Sequence, residues 1–397
     1  MVENERNLFG IEALKRNNCV RPITATCIEN QSLFVALTHE LCRLSRTSLQ
    51  DQCLVVSDLL LPSQQSRKVM AQLLFTEFKP CSILFVPRQF CTSLAFSQSG
   101  HAQYPILSVD TGHDCTTISC VSNSDSFGSE LLISPGGRSV MQAMQQLHPT
   151  VGNYAPQHRI ARREATAQAG ADINKEFSFN EFEEAMLVRA SCAINTEQHV
   201  THQFRDCGSV SLEVSQRQID LGPTPQAACE VLFYPNGFKI PLSSIAENIA
   251  SLLKGADEHC KKNICVSGGL VRVTNFIQRL KFELDKLVRG TMIHALDRSA
   301  ENSGHEIDRG LRHVAKNNGG WKSGEKFEGR WIGRDEFMQN PDIVVDKCYP
   351  IPHWNSSLNI YQAPDTCNVD AYAKVSTPLF SENANLFGAG ITAERSA

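Results

Sequence analysis

Residues 263–284 read NICVSGGLVRVTNFIQRLKFEL. A short apolar run, Ile264 to Val266, meets Ser267-Gly268-Gly269 and gives way to a helical pattern. Two readings of the glycine pair follow. Glycine reaches backbone angles that other residues avoid, so the pair fits a tight turn. Glycine also lets a phosphate or a nucleoside approach the backbone, and a helix start offers free N–H groups to an anion. The stretch by itself leaves both open.

The rest of the chain narrows the choice. With 397 residues it is long enough for two or more domains, since domains run to about 150 residues. It is 42% hydrophobic and 20% charged, the balance of a globular protein with a substantial core. A net charge of −4 gives no electrostatic footprint for nucleic acid. The mildly basic stretch from Arg309 to Arg334 is diluted by Glu325 and Glu328 and reads as a solvated face. No apolar run approaches the ~18 residues of a membrane span. The N-terminus, MVENERNLFG, lacks the apolar core of a signal peptide, which implies a cytoplasmic setting. The 15 cysteines include no C-x-x-C pair and lie singly in apolar segments, as small buried hydrophobes do. Two groups, His113/Cys115/Cys120 and His259/Cys260/Cys265, lack zinc-ligand spacing, so no metal site is expected and the thiols should be reduced.

Along the chain, strands alternate with amphipathic helices. Cys19 to Ile28 reads as a strand, and Ser32 caps a helix with Leu33, Phe34, Leu37, Leu41 and Leu44 on its apolar face. CLVV (53–56) and CSILFVP (81–87) are buried strands on either side of the helix RKVMAQLLFTEF (67–78). Arg88 to Ser97 is helical and Ser99-Gly100 breaks it. This order implies parallel pairing through βαβ crossovers. The pattern restarts near residue 104 with strands at Tyr104–Val109 and Thr116–Val121. A loop is expected over 152–175 and helices over 181–194 and 245–253. Pro350, Pro352, Pro364 and Pro378 rule out long regular structure in the tail, which reads as an extended surface arm.

The sequence contains no Walker A motif, no G-x-S-x-G elbow and no H-E-x-x-H. What remains is Asp110-Thr111-Gly112, at the end of an apolar strand and the start of a hairpin. Such a turn can hold phosphate oxygens on its N–H groups, and its Asp can orient a Mg²⁺-bound water. It can equally be a plain β-turn, which favours Asp and Gly anyway.

Taken together, a strand-Asp-Thr-Gly-hairpin followed far along the chain by strand-Ser-Gly-Gly-helix resembles the actin fold, a duplicated, ribonuclease H-like, two-domain α/β architecture. In actins the first turn holds phosphates and the second sits against the adenosine. VDTGHDCTTISCV (109–121), PGGRSVMQAM (135–144), EFEEAMLVRASCAI (181–194) and WIGRDEFMQNPDI (331–343) are similar to actin segments in the same order, and Gly319-Gly320 stand near an adenine-side turn. The resemblance implies a first domain over 1–104, a second over 105–320, a return to the first over 321–349 and a tail over 350–397. It also implies ATP or ADP with Mg²⁺ at Asp110, Thr111, Gly112, Gly268 and Gly269. Gln89 takes the place of the glutamine that orients the attacking water in actins; read on its own it is an exposed helix-start residue.

Actins begin with a first phosphate loop of the D-N-G-S-G type. Here the first twenty residues hold one glycine, Gly10, and the first aspartate is Asp51. The first domain is therefore expected to lack its N-terminal strands and half of its phosphate clamp. Phosphoryl transfer needs charge stabilisation from both sides, so the chain is expected not to be an enzyme, and any nucleotide to be a structural ligand. Within actin-related proteins, CVRPITATCIENQSLFVALTHELCRL (19–44), CLVVSDLLLPSQQSRKVMAQLLFTEF (53–78) and ACEVLFYPNG (228–237) are similar to the actin-related subunit at the pointed end of dynactin. That resemblance implies a cytoskeletal role in capping an actin-like filament, with the filament subunits and other pointed-end subunits as partners and no nucleic acid or membrane insertion. The other classes sharing the fold are nuclear actin-related subunits of chromatin remodellers and degenerate ATPases of the superfamily.

Overall fold

Two apolar pentapeptides, CLVVS and SILFV, pair side by side as parallel strands, Leu54 opposite Ile83 and Val56 opposite Phe85. The computed structural model describes residues 22–122, 130–147, 210–214, 217–222, 224–254, 256, 258–295, 306–318, 330–351 and 391–393. The chain enters through a turn with an isolated Ile23–Ile28 bridge, where a strand was expected. α1 (Gln31–Ser45) follows. Its cap is Asn30, whose Oδ1 accepts from Leu33 N–H at 2.9 Å, two residues ahead of the expected Ser32. Asn serves at this position as well as Ser does. β1 (Cys53–Ser57) leads to α2 (Gln64–Leu73), which runs on as a π-helical turn, then to β2 (Ser82–Val86) and α3 (Arg88–Gln98). β3 (Ile106–Thr111), β4 (Cys115–Val121), β5 (Leu132–Pro135) and α4 (Gly137–Leu147) come next. After the hairpin β6 (Val210–Val214) and β7 (Arg217–Gly222) come α5 (Thr224–Cys229), α6 (Ile245–Lys254) and α7 (Glu258–Lys262). They lead to β8 (Ile264–Gly268), α8 (Phe276–Leu287), β9 (Ile293–Ala295) and α9 (Glu306–Asn318). The last elements are β10 (Ile332–Gly333), α10 (Arg334–Gln339), α11 (Ile343–Lys347) and β11 (Ile391–Ala393). The loop expected over 152–175, the helix over 181–194 and Gly319-Gly320 lie outside the described residues.

The first sheet has the order β10-β2-β1-β11, with β10 and β11 antiparallel to their neighbours. Alternate residues of its central strands go to opposite sides, as the two-residue strand period requires. Leu54, Val56, Ile83 and Phe85 meet Phe34, Met70, Phe75 and Phe337. Val55, Leu84 and Val86 meet Phe90, Leu94, Leu311 and Val314. Both faces are covered, which is why these strands read as continuous apolar runs. A buried ion pair closes one end: Arg67 Nε donates to Asp58 Oδ2 at 2.8 Å and Nη1 to the Tyr349 carbonyl at 2.7 Å. Burial pushes the Asp58 carboxyl up against the pull of Arg67.

The second sheet has the order β5-β4-β3-β8-β9: an antiparallel meander continued by two parallel strands. One face packs Leu107, Val109, Ile118, Ile264 and Val266 against α4, α6 and α8. The other meets α3 through Phe96, which packs with Ile106 and Cys265. α3 therefore touches both sheets, and every residue from Gln89 to Phe96 is buried. α9 crosses it so closely at Gly310 that a Cβ there would overlap the Cys91 backbone. The same helix keeps Arg309, Arg312 and Lys316 in solvent.

Candidate functional site

The two glycine turns meet. β3 and β8 run parallel with Asp110 opposite Ser267 and Thr111 opposite Gly268. Thr111 Oγ1 donates to the Ser267 carbonyl at 2.6 Å and locks the pair together. Gly268 has φ +95°, and a Cβ on it would overlap the Thr111 carbonyl. Its conformation and this close approach both demand glycine. Gly269 differs: a Cβ on it would meet nothing within 4 Å. Packing does not require glycine there, and the space beside it is open. The chain then makes a 3₁₀ turn, Gly269–Arg272, and Asn275 at φ 65° before α8 begins at Phe276. The helix expected directly after the glycines is thus displaced, and its N-terminus is not part of this turn.

On the hairpin side, Gly112 N–H donates to the Cys115 carbonyl at 3.0 Å. The start of α4 folds onto the same turn, Gly137 N–H donating to the Gly112 carbonyl at 3.1 Å and Arg138 N–H to the His113 carbonyl at 2.6 Å. A Cβ on Gly136 would sit 2.7 Å from the Cys115 Cα, so that glycine serves the close packing. Amides that begin a helix and attract anions elsewhere are here spent on the hairpin.

The charges of the site come in pairs. Asp110 is buried, and its Oδ2 accepts from Arg88 Nε at 3.3 Å and lies 3.2 Å from Arg88 Nη2. Asp114 Oδ1 accepts from Arg138 Nη2 at 2.7 Å. Glu29, ahead of α1, lies within electrostatic reach of that second pair. Desolvation and Asp114 push its carboxyl above the usual range while Arg138 pulls it down. Arg88 and Arg138 are the residues that sequence reasoning passed over. The available signal was their position, each in the first turn of a helix that directly follows an apolar strand.

A family model described as Actin matches residues 3–349. The chain belongs to the actin family. Its two mixed sheets, each flanked by helices, fit the actin-like two-domain α/β fold. Comparison with curated proteins gave no match. Among the described residues no helix is long and apolar enough to cross a membrane, and no group of His, Cys, Asp and Glu is placed to hold a metal ion.

Within this actin-family fold, Gln89 is the second residue of α3. It is buried, not exposed as the isolated sequence suggested, and its Nε2 donates to Thr117 Oγ1 on β4 at 3.1 Å. A small cavity lined by Asp58, Arg67, Pro87, Gln89 and Leu131 adjoins it. Of the five expected binding residues, the structure brings Asp110, Thr111, Gly268 and Gly269 to one pair of strand ends, with Gly112 in the adjoining turn. Open backbone at Gly269 and a guanidinium beside Asp110 suit a phosphate-bearing ligand. A Mg²⁺ ion does not suit Asp110, since it needs oxygen ligands and waters where a guanidinium already stands.

Proposed function

We propose that this chain is a structural, non-hydrolysing actin-related subunit that caps the pointed end of dynactin's actin-like filament and supports dynein cargo binding. What carries the non-hydrolysing part is the commitment of Gln89 and Asp110. A water-positioning glutamine must be free to turn its amide to the attacking water, and a metal-orienting aspartate must face a cation rather than a fixed positive charge. Here Gln89 Nε2 is tied to Thr117 Oγ1 and Asp110 Oδ2 faces the guanidinium of Arg88. ATP or ADP at Asp110, Thr111, Gly112, Gly268 and Gly269 then acts as a structural ligand, stabilising the folded chain by binding only to it.

The dynactin assignment is supported by the segments 19–44, 53–78 and 228–237. Its physical logic is heterologous assembly: actin-like subunits add head to tail, and such an interface does not close on itself. A subunit with one actin-like face and one altered face ends the filament. The location is then the cytoplasm, on the microtubule transport machinery.

The test is purification of the tagged full chain from cytosol with quantitative mass spectrometry, alongside sedimentation and phosphate release by the pure chain. Co-purification with dynactin's filament and pointed-end subunits in fixed ratio is expected, with neither filaments nor ATP turnover from the chain alone. Association with chromatin remodellers instead would refute the assignment. Steady ATP turnover would refute the non-hydrolysing role.

A further inference from the structure

Asp110, the last residue but one of β3, has a carboxylate that is 4% exposed and faces Arg88, itself 22% exposed. Oδ2 already takes Arg88 Nε at 3.3 Å, with Nη2 at 3.2 Å. The neighbouring acid, Asp114, is held by Arg138 at 2.7 Å. Each carboxylate of the turn therefore has a guanidinium as its counter-charge. A divalent cation placed at Asp110 would have to displace Arg88 or sit beside it, positive charge against positive charge in a partly dehydrated site. Guanidinium is fixed in charge and carries five N–H donors in a planar fork, enough to span a carboxylate and a phosphate at once.

We propose that Arg88 is a built-in substitute for the divalent cation, so that a nucleoside di- or triphosphate at this site is bound through Arg88 and without magnesium. This rests on the nucleotide reading above. It adds a positioning residue that reading lacked, and it explains why a phosphate site should pair its own aspartate. The acids around the turn and the start of α3 are Asp110, Asp114, Asp58 and Glu29, of which the first three are already matched by Arg88, Arg138 and Arg67.

The experiment is calorimetric titration of the nucleotide-stripped full chain with ATP and with ADP, in excess magnesium and again in EDTA. Dissociation constants equal within about threefold are expected for the natural chain. Arg88→Gln should lose about tenfold or more in EDTA and regain part of it with magnesium, while Arg88→Lys keeps most of the magnesium-free affinity. Thermal unfolding without ligand shows that each variant is folded, and the comparison on the natural chain needs no variant. A fall of about tenfold or more in EDTA for the natural chain overturns the proposal and leaves the nucleotide reading intact. So does an Arg88→Gln chain that binds ATP as the natural one does. Failure to bind either nucleotide under both conditions overturns the proposal together with the structural-ligand reading.

Discussion

Gly268 and Gly269 stand side by side and are glycine for different reasons. The first is held at φ +95° with Thr111 against it, whereas the second borders open space. Gly268→Ala should therefore cost about 2–4 kcal/mol, from left-handed strain plus overlap with the neighbouring strand. Gly269→Ala should leave stability within about 0.5 kcal/mol and weaken ATP binding. Urea unfolding and titration of the two variants separate these effects. Arg279 is the other residue whose role only its surroundings reveal. It is fully buried, with Glu230 taking Nη1 at 2.8 Å and Nη2 at 2.7 Å, Glu283 taking Nε at 2.7 Å, and the Phe233 ring 4.9 Å from its guanidinium carbon. Arg279→Ala leaves Glu230 without its cation and Glu283 with Lys286 alone, and should lose about 3–5 kcal/mol in urea unfolding. In sequence Arg279 is one basic residue on a helix, and Glu230 lies 49 positions away.

At the scale of elements, the strands that are apolar on both sides and the helices with one apolar stripe were legible, because burial imposes their periods locally. Boundaries were less so. The cap of α1 is Asn30 where Ser32 was expected, since two candidates two residues apart have equal capping chemistry and only the backbone chooses. The shift of α8 to Phe276 arises because Gly268 and Asn275 both adopt positive φ, which breaks the path from strand to helix. The crossing of α3 and α9 was not legible at all. A glycine inside an exposed helix lowers stability, so Gly→Ala there gains about 1 kcal/mol. At Gly310 the sign should reverse, with a loss of about 1–3 kcal/mol, because the new methyl meets the Cys91 backbone in the neighbouring helix. A urea midpoint that rises in Gly310→Ala would show that the two helices do not pack this closely.

For the whole molecule, acid is the informative stress. Burial pushes Glu283 up, but hydrogen bonds from Lys286 and Arg279 bring its carboxyl below the ordinary 4.5. A hydrogen bond from Lys347 does the same for Glu336, which ties α10 to α11. A carboxyl held below its unfolded value takes its proton at lower pH in the folded chain than in the unfolded one. Its stabilisation is present above about 4.5 and drains as pH falls through the lower folded value. These two carboxyls pull the urea midpoint down below that pH, against the raised Asp58 and Glu29, which work the other way, and Glu336→Gln should make the midpoint fall less steeply than in the natural chain. A Glu336→Gln chain whose midpoint falls as steeply as the natural one's would contradict the Glu336–Lys347 pairing.

The order of strands and helices, the two glycine turns and the actin likeness came from the sequence alone, because hydrophobic period and turn chemistry are local properties of a few consecutive residues. The partners within the site did not. Asp110 meets Arg88, Gln89 meets Thr117 and Thr111 meets Ser267 only through strand register and the placement of α3 between two sheets. Those depend on how distant segments bury their apolar faces against one another, and no local propensity encodes it. The sequence marked the two glycine turns; the tertiary structure decided that they meet and which charges stand beside them.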